Sequence, residues 1–159
     1  MRPFESSKKV NFMLGRLIAA VAFACSAVAV AQDFKAHQQH AAAALVALKT
    51  EQAKEGKDCL QAQNQYDDNI CTRQVAEAAD RNLAVLFDNL KAIVGGDAQK
   101  KLQVSQDAWL EYRKKACDAV FEFYKDGTIR KAEQARCETR LARARMRDLD
   151  FLYETPLHR

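Results

Sequence analysis

Apolar residues recur at spacings of three and four along most of the chain, which is the period of an α-helix that buries one face. No segment alternates apolar and polar residues over the length of a typical strand. Helix-favouring residues fill the long segments, and the two prolines, Pro3 and Pro156, lie outside the body of the chain. The pattern predicts an all-α fold, a small bundle of three to four helices.

Glycines and a polar stretch divide this pattern. An alanine-rich segment over about 37–56 is predicted to be a helix that frays at its N-terminal end, and Gly56 ends it. The polar stretch over 64–68 predicts a second break, and the recurring apolar residues over 69–94 predict a second helix. Gly95 and the glycine after it are expected to stop that helix.

The second half of the chain contains two more predicted helices. Asp97 is expected to cap a third helix that reaches about residue 125, and Thr128 a fourth that reaches about residue 153. We expect these two helices to form an antiparallel hairpin that turns at Gly127.

One face of each of the last three helices supplies the expected core. Trp109 is predicted to anchor it, and the alternative role for this residue is a stacking platform for a ligand. The core positions are Ala76, Leu83, Phe87, Leu90, Val94, Leu102, Trp109, Ala116, Val120, Tyr124, Leu141, Leu149 and Leu152.

The first 31 residues have the form of a secretory signal peptide. A basic start precedes an apolar run over 17–30, and Ala29-Val30-Ala31 has the small-x-small form that signal peptidase recognises, so we expect cleavage before Gln32. The run is shorter than the roughly 20 residues of a membrane span, so no transmembrane span is expected in the mature chain. Lipid attachment at Cys25 is the alternative, and it would place the protein on a membrane surface instead of in the periplasm or outside the cell.

Removing this segment changes the charge balance. It contains four of the 25 basic residues and one of the 21 acidic ones, so the mature chain has 21 basic and 20 acidic side chains. A nearly neutral protein gives no indication of nucleic-acid binding.

Four cysteines remain after cleavage, and an even number in a short exported chain indicates two disulfides. Cys117 and Cys137 each lie ten residues from Gly127, so a hairpin turning there brings them to the same level on facing helices. Cys59 and Cys71 flank the polar break in the same way. We expect these two pairs, although the sequence leaves other connectivities open. A zinc site is the rival, but no Cys-x-x-Cys pair favours it.

Charged residues occupy apolar positions on three of the predicted helices. Arg113 and Arg145 stand where a leucine is expected, and Asp80 stands between Ala76 and Leu83. A buried guanidinium needs a carboxylate or access to solvent, so Asp80 is the favoured partner, with Glu111 as the weaker one. We interpret the three as an internal ion network that fixes helix packing; a polar pocket for an anionic or sugar ligand is the alternative.

A second set of arginines follows spacings of four, three and four on another face of the last helix, and we expect it to be exposed to solvent. It could bind an acidic partner, or it could be a solvated surface partly neutralised by nearby acidic residues. The set consists of Arg136, Arg140, Arg143 and Arg147.

Catalytic motifs are missing from the sequence. The only serine after residue 31 is Ser105, and no phosphate-binding loop or nucleophile elbow occurs. His37 and His40 are too few to hold a metal firmly. We expect no enzymatic activity, no cofactor and no metal.

The last two helices contain a specific pattern: Trp109 to Arg113, then Cys117, the turn at Gly127, and Cys137 followed by Leu141, Arg145 and Leu149. Together with Leu102, Gln106, Asp80 and Leu83, this pattern resembles that of the lysozyme inhibitor LprI-like family of exported bacterial proteins. The resemblance covers about residues 58–150. The chain departs from the family's pattern at Ala84, Phe87, Lys114 and Ala142. The resemblance implies an exported helical domain with disulfides, and it implies inhibition of lysozyme, although members of one fold can differ in activity.

Two functional hypotheses follow. The first is an exported inhibitor that blocks the substrate cleft of lysozyme; because lysozymes are commonly cationic, its expected contacts are Asp58, Asp67 and Asp68. The second is an envelope protein that binds cell-wall polymer or an envelope protein through the arginine face. The expected organisation is a signal peptide over 1–31, a helical segment of uncertain order over 32–57, and the helical domain over 58–155.

Overall fold

The computed structural model describes residues 32–158. The predicted signal peptide and Cys25 lie outside the described residues. The chain divides into two compact units, Met1–Gln38 and Gln39–Arg159. Of the first unit, residues 32–38 are described and are helical. All the contacts and sites below lie within the second unit.

Helices and short connections account for the described residues, which contain no strand. The helices are α1 over 32–54, α2 (Gln65–Val94), α3 (Gly96–Phe123), α4 (Arg130–Leu152) and α5 (Glu154–His158). The predicted all-α bundle is therefore confirmed, with the short α5 as an addition.

The start of α2 differs from the expected one. Asn64 caps the helix, because its side-chain Oδ1 accepts a hydrogen bond from the backbone N–H of Asp67 at 2.9 Å. Asp67 and Asp68 lie in the first turn, where a negative charge is favourable next to the helix dipole. The polar stretch that predicted a break is thus a cap and a first turn, and the prediction of a break through residue 68 was wrong.

The glycines between α2 and α3 end the helix as expected. Gly95 has φ 55° and ψ −177°, and Gly96 has φ 51°, a conformation that residues with a Cβ rarely adopt. The predicted caps were wrong. Asp97 lies inside the first turn of α3, after an N-cap at Gly95, and the N-cap of α4 is Ile129 instead of Thr128.

Helix α4 lies at the centre of the bundle and contacts α2, α3 and α5. It also reaches α1, whose buried side chains belong to the same core cluster as Met146. The core cluster consists of Ala44, Ala47 and Leu48 from α1, Ala79, Leu83, Leu86, Phe87 and Leu90 from α2, Leu102 from α3, Ala142, Met146 and Leu149 from α4, and Leu157 from α5. Trp109 is half-buried and packs against it. Leu152, an expected core residue, is exposed.

Candidate functional site

Two disulfides hold the helices in place. Cys117 and Cys137 join α3 to α4 on either side of the turn, with their Cα atoms 5.6 Å apart. Cys59 and Cys71 join the segment after α1 to the first turns of α2, with their Cα atoms 5.8 Å apart. Both pairings are those expected from the spacing.

A buried ion cluster connects α1, the segment after it and α4. Glu51 of α1 is 2% exposed, and one of its carboxylate oxygens accepts a hydrogen bond from Nε of Arg143 at 3.1 Å. The other oxygen accepts from Nδ2 of Asn82 at 2.6 Å and from Nζ of Lys54 at 3.4 Å. Arg143 also forms a two-pronged contact with Asp58. The cluster therefore fixes the segment around residue 58 against α4.

Arg143 was expected on an exposed face, but it is 6% exposed. The expectation was wrong because α4 packs against helices on more than one side. Hydrogen bonding to Asp58 raises the pKa of Arg143, and Glu51 adds to this effect, although burial opposes it. The guanidinium is thus held charged by two carboxylates and is not available to an external partner.

Two more arginines of this set have carboxylate partners. The guanidinium of Arg136 binds Asp68 at 2.6 Å and Glu133 at 2.6 Å. Burial lowers the pKa of Arg136, but its hydrogen bonds to the two carboxylates outweigh this effect and the pKa is raised. Arg147 binds Glu55 at 3.1 Å, and both side chains are about half-exposed.

Arg140 differs from these three. It is exposed, and within residues 32–158 no carboxylate lies at ion-pair distance from its guanidinium. It lines two depressions at once. The first is a pocket of about 290 Å³ whose lining includes Asp58 and Arg136, and the second is a groove of about 570 Å³ between α3 and α4.

The groove between α3 and α4 is mainly apolar. Phe123 is 80% exposed and Tyr112 is 59% exposed, so large aromatic surfaces face solvent there. The remaining lining residues are Ala116, Ala119, Val120, Tyr124, Glu133, Cys137, Arg140 and Leu141. Exposed apolar patches of this kind commonly mark interaction sites. This surface was not predicted from the sequence, because Val120, Tyr124 and Leu141 were expected in the core.

The three acidic residues expected to contact a partner are in different states. Asp58 and Asp68 are bound by Arg143 and Arg136, whereas Asp67 is exposed and accepts a hydrogen bond from Nδ2 of Asn64 at 2.7 Å. The charges of Asp58 and Asp68 are therefore compensated by arginines of the same chain, whereas Asp67 contacts a neutral amide.

The charged residues at the α2–α3–α4 contact form two separate groups. Arg113 binds Asp80 at 2.6 Å, the partner that the sequence favoured, while Glu111 binds Lys115 instead. Nε of Arg113 is buried and has no hydrogen-bond partner among the described residues. Both residues line a depression of about 310 Å³.

Arg145 contacts neutral groups, although Asp80 was expected to be its partner. Its guanidinium donates hydrogen bonds to Oε1 of Gln106 and Oγ of Ser105, both at 3.1 Å. Burial lowers its pKa, with Asp148 opposing this effect. The Trp109 ring connects the two groups, because the guanidinium carbon of Arg145 lies 5.9 Å from the ring centroid and that of Arg113 lies 5.7 Å from it.

A family model described as "Lysozyme inhibitor LprI" matches residues 56–149, which is more than half of the chain. The chain belongs to the LprI family. The LprI match contains α2 and α3, most of α4, both disulfides and the groove between α3 and α4 that Arg140 lines. A search of curated proteins and a search of solved structures each gave no significant match.

Over residues 32–158, no group of three or more histidine, cysteine, aspartate or glutamate side chains is placed to hold a metal ion. His40 instead contacts Oδ1 of Asn89 through Nδ1 at 2.7 Å. In the same range, no helix has both the length and the apolar character needed to cross a bilayer.

Proposed function

We propose that this protein is an exported inhibitor that binds lysozyme and blocks its substrate cleft. The observation that carries the proposal is the LprI family match over residues 56–149. The two disulfides support export, because such bonds persist in oxidising compartments outside the cytoplasm. The signal-peptide pattern of the first 31 residues supports it as well.

A cross-linked helical bundle suits inhibition by occlusion. Inhibitors that enter an enzyme's cleft bind tightly when their contact surface changes little on binding, because less conformational entropy is lost. The disulfide between Cys117 and Cys137 and the ion cluster around Arg143 both restrict α4. Such a surface could exclude a polysaccharide from the cleft without any chemical step.

Binding of cell-wall polymer through the arginine face has less support. A polyanion needs uncompensated positive charge, yet Arg136, Arg143 and Arg147 are each bound by carboxylates of the same chain. We therefore keep lysozyme as the proposed partner and make polymer binding an outcome of the test.

The test is the lysis of a bacterial cell-wall suspension by a cationic animal-type lysozyme. The mature chain from Gln32 is added at increasing concentration, after mass spectrometry has shown both disulfides to be formed. We expect dose-dependent inhibition that saturates, and the same inhibition with a small soluble oligosaccharide substrate. Absence of inhibition at a large molar excess would contradict the proposal.

A preincubation control separates the two partners. Cell walls are soaked in the protein, washed and then given fresh lysozyme. An inhibitor that binds the enzyme leaves washed walls sensitive to lysis, whereas a polymer-binding protein protects them. Protected walls together with unhindered cleavage of the soluble substrate would favour binding of cell-wall polymer over inhibition of lysozyme.

A further inference from the structure

Arg140 lines two neighbouring depressions. The lining of the pocket includes the charged side chains of Glu55, Asp58 and Arg136, and the groove is lined mainly by aromatic and aliphatic side chains. A partner bound over Arg140 would therefore contact at least one of the two depressions as well.

The composition of this surface is typical of protein-binding hot spots. Tyrosine, phenylalanine and arginine are enriched at the centres of protein interfaces, where a few residues supply most of the binding energy. Tyr112 and Phe123 are exposed next to Arg140, and the disulfide at Cys137 fixes the groove floor. Covering these exposed aromatic side chains with a partner favours binding, because apolar surface is removed from water.

Among residues 32–158 the charge of Arg140 has no carboxylate partner, whereas the neighbouring arginines are neutralised. Arg136 and Arg143, one turn away on either side, are bound by carboxylates of the same chain. A guanidinium without an internal partner can form a two-pronged contact with a carboxylate supplied by another molecule. The complementary partner therefore presents a carboxylate inside a concave site.

Lysozyme offers such a site, because glycoside hydrolases carry a pair of carboxyl groups that flank the scissile bond in an open cleft. We propose that Arg140 enters the lysozyme cleft and pairs with a catalytic carboxylate, while the rim of the cleft lies in the groove against Tyr112 and Phe123. This inference rests on the proposed function. Glu55, Asp58 and Glu133 then border the contact, and each of them is already bound by an arginine of the same chain.

The first experiment compares two charge reversals. Arg140→Glu places a negative charge opposite the carboxylate, and we expect the Kd for lysozyme to rise at least about 30-fold. Arg81→Glu is the matched control, because Arg81 is also exposed and also lacks a carboxylate at ion-pair distance within the described chain, but lies on α2 away from the groove. The control is expected to stay within about threefold of the wild type. Circular dichroism checks that both variants fold.

The second experiment tests the groove. Phe123→Ala is expected to raise the Kd about tenfold, since a buried aromatic contact at an interface is lost. Phe151→Ala is the matched control, because Phe151 is equally exposed but does not line the groove.

The third experiment changes the enzyme. A lysozyme whose ionised catalytic carboxylate is replaced by the corresponding amide is expected to bind the wild-type protein more weakly and to discriminate little against Arg140→Glu. This coupling identifies the carboxylate as the partner of Arg140.

The outcomes separate the inference from the proposed function. If the wild type inhibits lysozyme and Arg140→Glu binds as well as Arg81→Glu, the inference is overturned and the function stands. If the wild type neither binds nor inhibits, both are overturned. A dimer in sedimentation that Phe123→Ala dissociates would assign the groove to a second copy of the chain and overturn the inference as well.

Discussion

Replacing Arg143 by methionine removes the centre of the buried ion cluster. The substitution keeps a side chain of similar length but leaves Glu51 without its strongest partner and Asp58 without its two-pronged contact. Breaking a buried ion pair by removing one member typically costs about 3–5 kcal/mol, because the other charge stays buried. Glu51 keeps its hydrogen bond from Asn82, and Asp58 is partly exposed, so water can reach it. We therefore expect the lower end, about 3 kcal/mol.

The measurement is equilibrium unfolding in urea with intact disulfides, followed by far-UV circular dichroism. A loss of about 3 kcal/mol would also lower the Tm by about 10 °C in a domain of this size. Arg147→Met is the control from the same helix, because the Arg147–Glu55 pair is half-exposed and its loss should cost less than about 1 kcal/mol. A double variant, Glu51→Leu with Arg143→Met, should recover part of the loss, since it removes the stranded carboxylate.

The result that refutes this reasoning is equality of the two single variants. That result is a difference of less than about 0.5 kcal/mol between the free energies of unfolding of Arg143→Met and Arg147→Met, with unchanged m-values. The buried cluster would then stabilise the protein no more than an exposed ion pair does.

Three further predictions concern the scaffold. Replacing both Cys117 and Cys137 by alanine should lower the free energy of unfolding by about 3 kcal/mol, because the disulfide closes a loop with a sequence separation of 20. The measurement is a urea titration, and an unchanged unfolding midpoint would be inconsistent with a formed disulfide. Leu86→Ala should cost about 2–5 kcal/mol, since this side chain is fully buried, while the exposed neighbour Val85→Ala should cost less than about 1 kcal/mol. Gly95→Ala should cost about 1–3 kcal/mol in thermal melts through backbone strain alone, because nothing lies within 4 Å of the added Cβ; a neutral effect would argue against the positive φ.

Local signals were enough to predict the helices and the disulfides. Helical periodicity depends only on neighbours along the chain, and the symmetry of Cys117 and Cys137 about Gly127 follows from the geometry of any hairpin. The helix starts were harder to predict. Asp97 and Thr128 have the side chains of good caps, but the structure begins α3 and α4 at Gly96 and Arg130, without side-chain capping bonds.

The burial of Arg143 was missed because a helical wheel does not show how many neighbours surround a helix. Helix α4 buries residues over a wide arc, so a stripe that looked exposed faces α1 at this point. One signal could have revealed it. Glu51 follows Ala44, Ala47 and Leu48 at spacings of seven, four and three, which puts a carboxylate on the apolar face of α1 and requires a cation opposite.

The partner of Arg145 was missed for a chemical reason. A carboxylate was expected, but an amide and a hydroxyl on α3 accept hydrogen bonds from the guanidinium, and burial lowers the pKa of Arg145. The groove next to Arg140 was missed because apolar periodicity does not distinguish a core face from one left open to a partner.

Helices α1 and α5 contribute side chains to the core, but both lie outside the segment that identifies the family. The match over residues 56–149 begins after Ala44, Ala47, Leu48 and Glu51 and stops before Leu157, all of which are buried. A fragment cut at the family boundaries would expose apolar surface on α2 and α4 and leave Arg143 short of one carboxylate. Expression vectors and fragment libraries for this protein should therefore start at Gln32 and run past Leu157, because the matched segment alone lacks buried residues of the core.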